Sequence, residues 1–180
     1  MSGDRAAWAE GLASAHLKVA LPRRWSHVQG VVHRAASAGP VVDDPDVLMA
    51  AAWLHDIGYA PKVRRTGLHA VDGAEYLRQL GADDRLCGLV AHHSCAHIEA
   101  ANRGIPINWS DERTPLRDAL WWADMTTTPL GQPIDIKSRI AEVRKRYGSD
   151  HVVAVSVTEA EPELLAAAER TELLLSKVPR

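Results

Sequence analysis

The sequence has no phenylalanine and only two cysteines. It also has no apolar run near the roughly 18 residues that a membrane span needs. Cys87 and Cys95 are too few for a disulfide framework and read as small core residues. Charge of one sign is missing too: 21 lysines and arginines face 23 aspartates and glutamates, with no basic tail and no polybasic run. That balance argues against nucleic acid or a membrane surface as partner. Met1 to Arg5 form no charged segment leading into an apolar one, so no signal peptide is read there. Taken with the scarce cysteine, this leads to the expectation of a cytoplasmic protein. Strand patterning is scarce as well. Val152 to Val157 is the one strand-like segment, and a single short segment cannot build a sheet.

What remains is helical. The 180 residues suffice for one core, and 46% hydrophobic with 24% charged residues is ordinary for a globular protein. The expected fold is all-α, a single-domain helical bundle over residues 1–180. Trp8, Leu12, Ala15 and Val19 mark a first amphipathic helix over Ala6–Ala20, with His16 at its surface or edge. Pro22 opens a second helix that carries Trp25, His27, Val28, Val31 and Val32 and stops near Gly39-Pro40. His33, six residues after His27, points elsewhere. Asp43-Asp44-Pro45-Asp46 caps a third helix, which should end at Ile57 with Gly58 as its C-cap.

This third helix organises the chain. Val47 to Leu54 are uninterrupted apolar residues, so the helix should be buried nearly all round. It then ends in His55-Asp56. A buried carboxylate is costly without a positive partner, and a divalent metal is the simplest one. Nine histidines are the compositional anomaly, and six of them fall between positions 27 and 93. Candidate ligands recur at intervals: His27, then His55 and Asp56, then His69, His92-His93 and Asp124. Tyr59 to Gly67 reads as a loop whose Lys62, Arg64 and Arg65 offer phosphate-binding charge. His69 opens a helix over Leu68–Leu80, where an N-terminus favours anions. Gly73-Ala74 on it allows close approach of another helix. Asp83-Asp84 caps a helix that runs to His92-His93. One of that pair binds metal on this reading and the other, His92, donates to phosphate. Ala100 to Glu112 reads as a loop that flanks or covers the site. Thr114-Pro115 starts a helix carrying Trp121 and Asp124. Two further helices are expected, Ile136–Tyr147 with a solvated basic face (Lys137, Arg139, Arg144, Lys145, Arg146) and Glu159–Ser176.

The ordered set His27, His55-Asp56 and Asp124, with the string His55-Asp56-Ile57-Gly58, resembles the HD superfamily of metal-dependent phosphohydrolases in its HDIG form. The resemblance covers residues 22 to 130, with C-terminal helices over 135–180 outside it. It implies that His27, His55, Asp56 and Asp124 hold a first metal, and that Asp56 bridges to a second held by His69 and His93. It also implies one or two divalent transition ions (Fe, Mn, Zn, Ni or Co), a catalytic role for Asp56, His69 and His93, and metal-activated water as nucleophile. The substrate would be a small phosphorylated compound, a nucleotide above all. In layout the chain is most similar to small bacterial HD proteins that hydrolyse nucleotides, such as diadenosine tetraphosphate hydrolases. The cyclic-dinucleotide branch expects lysine where Tyr59 stands and a GYP element that this chain lacks. Three alternatives remain at this point: an inert HD-fold nucleotide binder, a di-iron HD oxygenase, and a helical protein with a structural zinc on Cys95, His92, His93 and His97. Substrate, metal and oligomeric state are open.

Overall fold

The structure, a computed structural model, describes residues 4–179. It is all-α: the described residues form α1 (Asp4–Leu17), α2 (Pro22–Ala36), α3 (Pro45–Leu54), α4 (His69–Gln79), α5 (Asp84–His92), α6 (Ala96–Arg103), α7 (Pro115–Met125), α8 (Ile136–Tyr147) and α9 (Val152–Leu175), with short 3-10 turns between. No strand occurs among the described residues. Side-chain caps open several helices. Asp44 accepts from the Val47 amide, Asp83 from Leu86 and Thr114 from Arg117, each satisfying an amide that the first turn leaves free.

The central helix is α3. Val47, Leu48, Ala50, Ala51, Ala52, Trp53 and Leu54 are all buried, and α1, α2, α5 and α7 pack around it. One hydrophobic cluster runs from Ala9 on α1 through Leu54 and Trp121 to Leu164 and Ala168 on α9.

Four boundaries differ from the sequence reading. The buried face of α1 is Ala9, Ala13 and Leu17, whereas Trp8 is 40% and Val19 92% exposed. Ala9 and Ala13 let α1 lie close on α3. The central helix ends at Leu54, and Ile57–Tyr59 forms a 3-10 turn. Gly58 is not a left-handed cap. A Cβ on it would lie 1.9 Å from the His69 carbonyl oxygen, so its lack of a side chain lets α4 close on the turn. The expected loop from Ala100 is helical up to Arg103, where Gly104 at φ +66 ends α6. Finally, the valine-rich segment is the first turn and a half of a single 24-residue α9. Ala154, Ser156, Ala160, Leu164, Ala167 and Ala168 make its buried stripe, so helical packing overrides the local β preference. Pro162 lies inside this helix on its exposed side.

Candidate metal centre

Three helix ends and two helix faces deliver the polar cluster. His55 and Asp56 lie in the turn that leaves α3, His69 at the start of α4, and His93 where α5 stops. His27 comes from α2 and Asp124 from the last turn of α7. His27, His55, Asp56 and His93 are almost fully buried, at 3% exposure or less. Single ligand atoms of His27, His55 and Asp56 lie within 4.8 Å of one another, as do those of Asp56, His69 and His93. Asp56 is common to both groups. Its Oδ2 lies 3.3 Å from His55 Nε2 and 3.7 Å from His27 Nε2, and its Oδ1 lies 3.4 Å from His69 Nε2. Asp124 Oδ1 lies 3.0 Å from His27 Nε2 and 3.9 Å from His55 Nε2.

The backbone sets how these rings point. His27 Nδ1 lies 3.0 Å from the Thr128 carbonyl, His55 Nδ1 2.8 Å from that of Ala52, and His93 Nδ1 2.6 Å from that of Val90. A proton on each Nδ1 satisfies those carbonyls and aims each Nε2 inward, where either a second proton, as in the His27–Asp124 hydrogen bond, or a metal ion must stand between nitrogen and carboxylate oxygen. His55 Nε2 is buried and has no hydrogen-bond partner. Lone pairs aimed at carboxylate oxygens repel unless a cation stands between them. The imidazole and carboxylate donors therefore fit a divalent transition metal.

Electrostatics carry the same message. Burial opposes charge on His55, but the Asp56 carboxylate outweighs it and raises the imidazole to about 9. Burial also opposes charge on Asp56 and Asp124. Arg24 and His55 nevertheless hold Asp56 well below the usual carboxylate range, and the His27 hydrogen bond does the same for Asp124. His69 and His93 go the other way: burial and their neighbouring imidazoles lower both and keep them neutral. The cluster thus demands a positive charge beside the carboxylates and offers neutral imidazoles around it.

Several other groups complete the centre. Arg24 Nη1 donates to Asp56 Oδ2 at 2.6 Å, and its guanidinium lies 4.1 Å over the Tyr59 ring. Tyr59 stacks in turn on His69, with ring centroids 4.0 Å apart. Ser94 donates to Asp124 Oδ2 from a left-handed backbone, φ 49, followed by Cys95 at φ 60. The cluster opens into a pocket of about 110 Å³ whose walls include Arg24, Tyr59, Glu99, Arg139 and Arg146.

The structure thus brings His27, His55, Asp56, His69, His93 and Asp124 together and leaves other candidates apart. His92 turns away, with Nε2 2.8 Å from the Trp109 carbonyl. Lys62, Arg64 and Arg65 are exposed. Arg64 lines a neighbouring groove. The Arg65 amide and its neighbours bind the buried Asp72 carboxylate, which ties the loop down. Cys95, His92, His93 and His97 form no metal-holding group among the described residues. The 104–114 segment packs on α5 and α7 through Trp109, Glu112 and Asp111. Arg24, Tyr59, Ser94, Arg139 and Arg146 also line this pocket, although sequence patterning does not single them out. Arg24 was within reach of sequence reasoning, since it stands one helical turn before His27 on the same face. Arg139, expected on a solvated face, is 5% exposed.

The helical bundle thus carries two histidine–aspartate groups that share Asp56 and could each hold a metal ion. The HD domain family model matches residues 24–143, and the chain belongs to that family. A tRNA (cytidine(56)-2'-O)-methyltransferase of Thermoplasma volcanium is 37% identical over 86 residues, which covers 45% of this chain and 25% of that protein. The chain therefore spans about a quarter of the length of this curated relative. No solved structure matches the chain. No helix among the described residues is long and apolar enough to cross a membrane.

Proposed function

We propose that this chain is a metal-dependent phosphohydrolase that cleaves a phosphomonoester or phosphoanhydride bond of a nucleotide or a related small phosphate compound. The observation that carries this reading is the sharing of Asp56 between two histidine groups at the floor of an arginine-lined pocket. His27, His55, Asp56 and Asp124 would hold one ion, and Asp56, His69 and His93 a second. When bound, such ions supply Lewis acidity toward phosphoryl oxygens and lower the pKa of water. The protein's own groups do the rest. Arg24, anchored by Asp56 and by the Tyr59 ring, presents a fixed positive charge to the phosphoryl group. The backbone carbonyls behind His27, His55 and His93 fix their tautomers. If His69 holds no ion, its ring N–H is free to turn to a phosphoryl oxygen, whereas His93 keeps its proton on the Val90 carbonyl. Arginine-lined walls favour a phosphate substrate over the oxygenase reading.

The methyltransferase name of the relative does not carry over, because the shared segment is a quarter of that protein and the site offers imidazoles and carboxylates. The deciding experiment is elemental analysis of protein purified without chelators, for wild type and Asp56→Ala. Two ions in wild type, both lost in the variant, are expected, followed by release of phosphate from a nucleotide or phosphomonoester panel. Metal content unchanged by the substitution would sink the reading.

A further inference from the structure

The pocket wall contributed by α8 holds charges that the metal centre does not explain. Arg139 lines the pocket at 5% exposure. Its Nε is buried without a hydrogen-bond partner, and its Nη1 donates to Glu142 Oε2. Arg146 approaches the same carboxylate from the other side and donates to Oε1 through Nε, at 2.9 Å, and Nη2. Two guanidinium groups therefore converge on one carboxylate, which leaves a net positive charge. Helix α8 buries Ile140 and Val143 in packing, so an apolar side chain at 139 would satisfy the fold without an unpaired donor. The groove beyond, about 660 Å³, is lined by Arg23, Arg24, Arg64 and Arg146, with Glu142 as its carboxylate. Arg24, Tyr59 and Arg146 are shared by pocket and groove. A ligand lying across that boundary would have one end at the metal cluster and the other at α8.

We propose that Arg139 and Arg146 form a second anion subsite, occupied by Glu142 until a phosphoryl group other than the one being cleaved displaces it. The preferred substrates then carry at least two phosphoryl groups, an inference that rests on the phosphohydrolase reading. Glu142 is 35% exposed and can swing into water when displaced. A phosphoryl group offers three oxygens in place of two and more negative charge, and it reaches the idle Arg139 Nε. Glu142 thus keeps the arginines aligned in the free protein, and it bears less on a monophosphate, whose single phosphoryl group is the one held at the metal cluster.

The test is calorimetric binding of ADP and AMP to the metal-loaded protein, for wild type, Glu142→Gln and Arg146→Ala. Urea unfolding midpoints first establish that each variant folds. ADP is expected to bind more tightly than AMP. Glu142→Gln should raise that preference several-fold, and Arg146→Ala should lower it about tenfold, the loss of a charge-assisted pair. A preference that neither variant moves, or that Glu142→Gln lowers, overturns the subsite and makes the arginines scaffolding. Phosphate release is scored in the same preparations. Shifts in preference without turnover remove the hydrolase reading and keep the subsite, whereas turnover with an unmoved preference does the reverse.

Discussion

The Asp124 carboxylate is oriented from two sides, by His27 on Oδ1 and by Ser94 on Oδ2. Ser94 does so as the first of two consecutive non-glycine residues with left-handed backbone angles. Two substitutions separate the hydroxyl from the strain. Ser94→Ala keeps the strain and loses the hydrogen bond. Ser94→Gly relieves the strain, worth about 1 kcal/mol, and loses the same bond. Both should weaken metal binding about 10–100-fold in titrations, while only the glycine variant keeps or raises thermal stability. Equal metal affinity in all three proteins would remove Ser94 from the site. The cysteines give a pH-dependent outcome. Burial lifts Cys87 to about 11 and raises Cys95 as well. A thiol raised in the folded state contributes stability that is fully present below its unfolded value near 9.0 and is lost as pH climbs toward 11. Urea midpoints should fall across that window, and iodoacetamide labelling of the folded protein should lag behind that of the unfolded chain. The His-Asp pair was legible because a carboxylate inside an apolar helix is chemically anomalous. His92 and His93 were not separable, because the choice depends on a break in α5. His93 takes ψ 142, which ends α5 and turns the following chain away, while its Nδ1 meets the Val90 carbonyl and His92 meets that of Trp109. Arginine and serine are common surface residues, so Arg139 and Ser94 acquire meaning only from tertiary placement.

Among elements, α3 was read almost whole, because its apolar run and acidic cap act locally. Its exit was misread. Gly58 looks like a helix stop in sequence, but its use is to let α4 approach, which depends on a partner 11 residues away. Gly58→Ala would drive a Cβ into the His69 backbone and push α4 off the turn that carries Asp56. A loss above about 3 kcal/mol in urea is expected, against a gain of about 0.5–1 kcal/mol for Gly11→Ala, where nothing lies within 4 Å. A tolerated Gly58→Ala would mean that the α4 contact does not hold the turn. The valine run of α9 misled for a different reason: β preference reports on packing context, and here the context is α7 and α8.

For the molecule as a unit, the core and the pocket share the same helices. The helices after residue 130 were read as lying outside the HD core, yet α9 contributes Ala160 and Leu164 to the hydrophobic cluster, and Ala160 also lines the pocket. That linkage was invisible in sequence, because it pairs residues of α9 with a loop some sixty positions earlier. A ligand that binds only the folded state raises its stability, by about 2.7 kcal/mol at a hundredfold excess over Kd. Chelation should therefore lower the melting temperature by about 5–10 °C in a chain of this length. Readdition of metal should restore it, and no shift after verified ion removal would contradict a metal held by the folded core.

The dispersal of the ligands has a consequence for biogenesis. His27 and Asp124 are 97 positions apart, and the others fall between them on separate elements. In the newly made chain only His55 and Asp56 are neighbours, too few to capture an ion against the loop entropy of gathering the rest. A zinc finger gathers its ligands from a short stretch and folds around the ion. An ion held by these residues would therefore bind after the hydrophobic helices have assembled, and the metal available at that stage would decide the occupant.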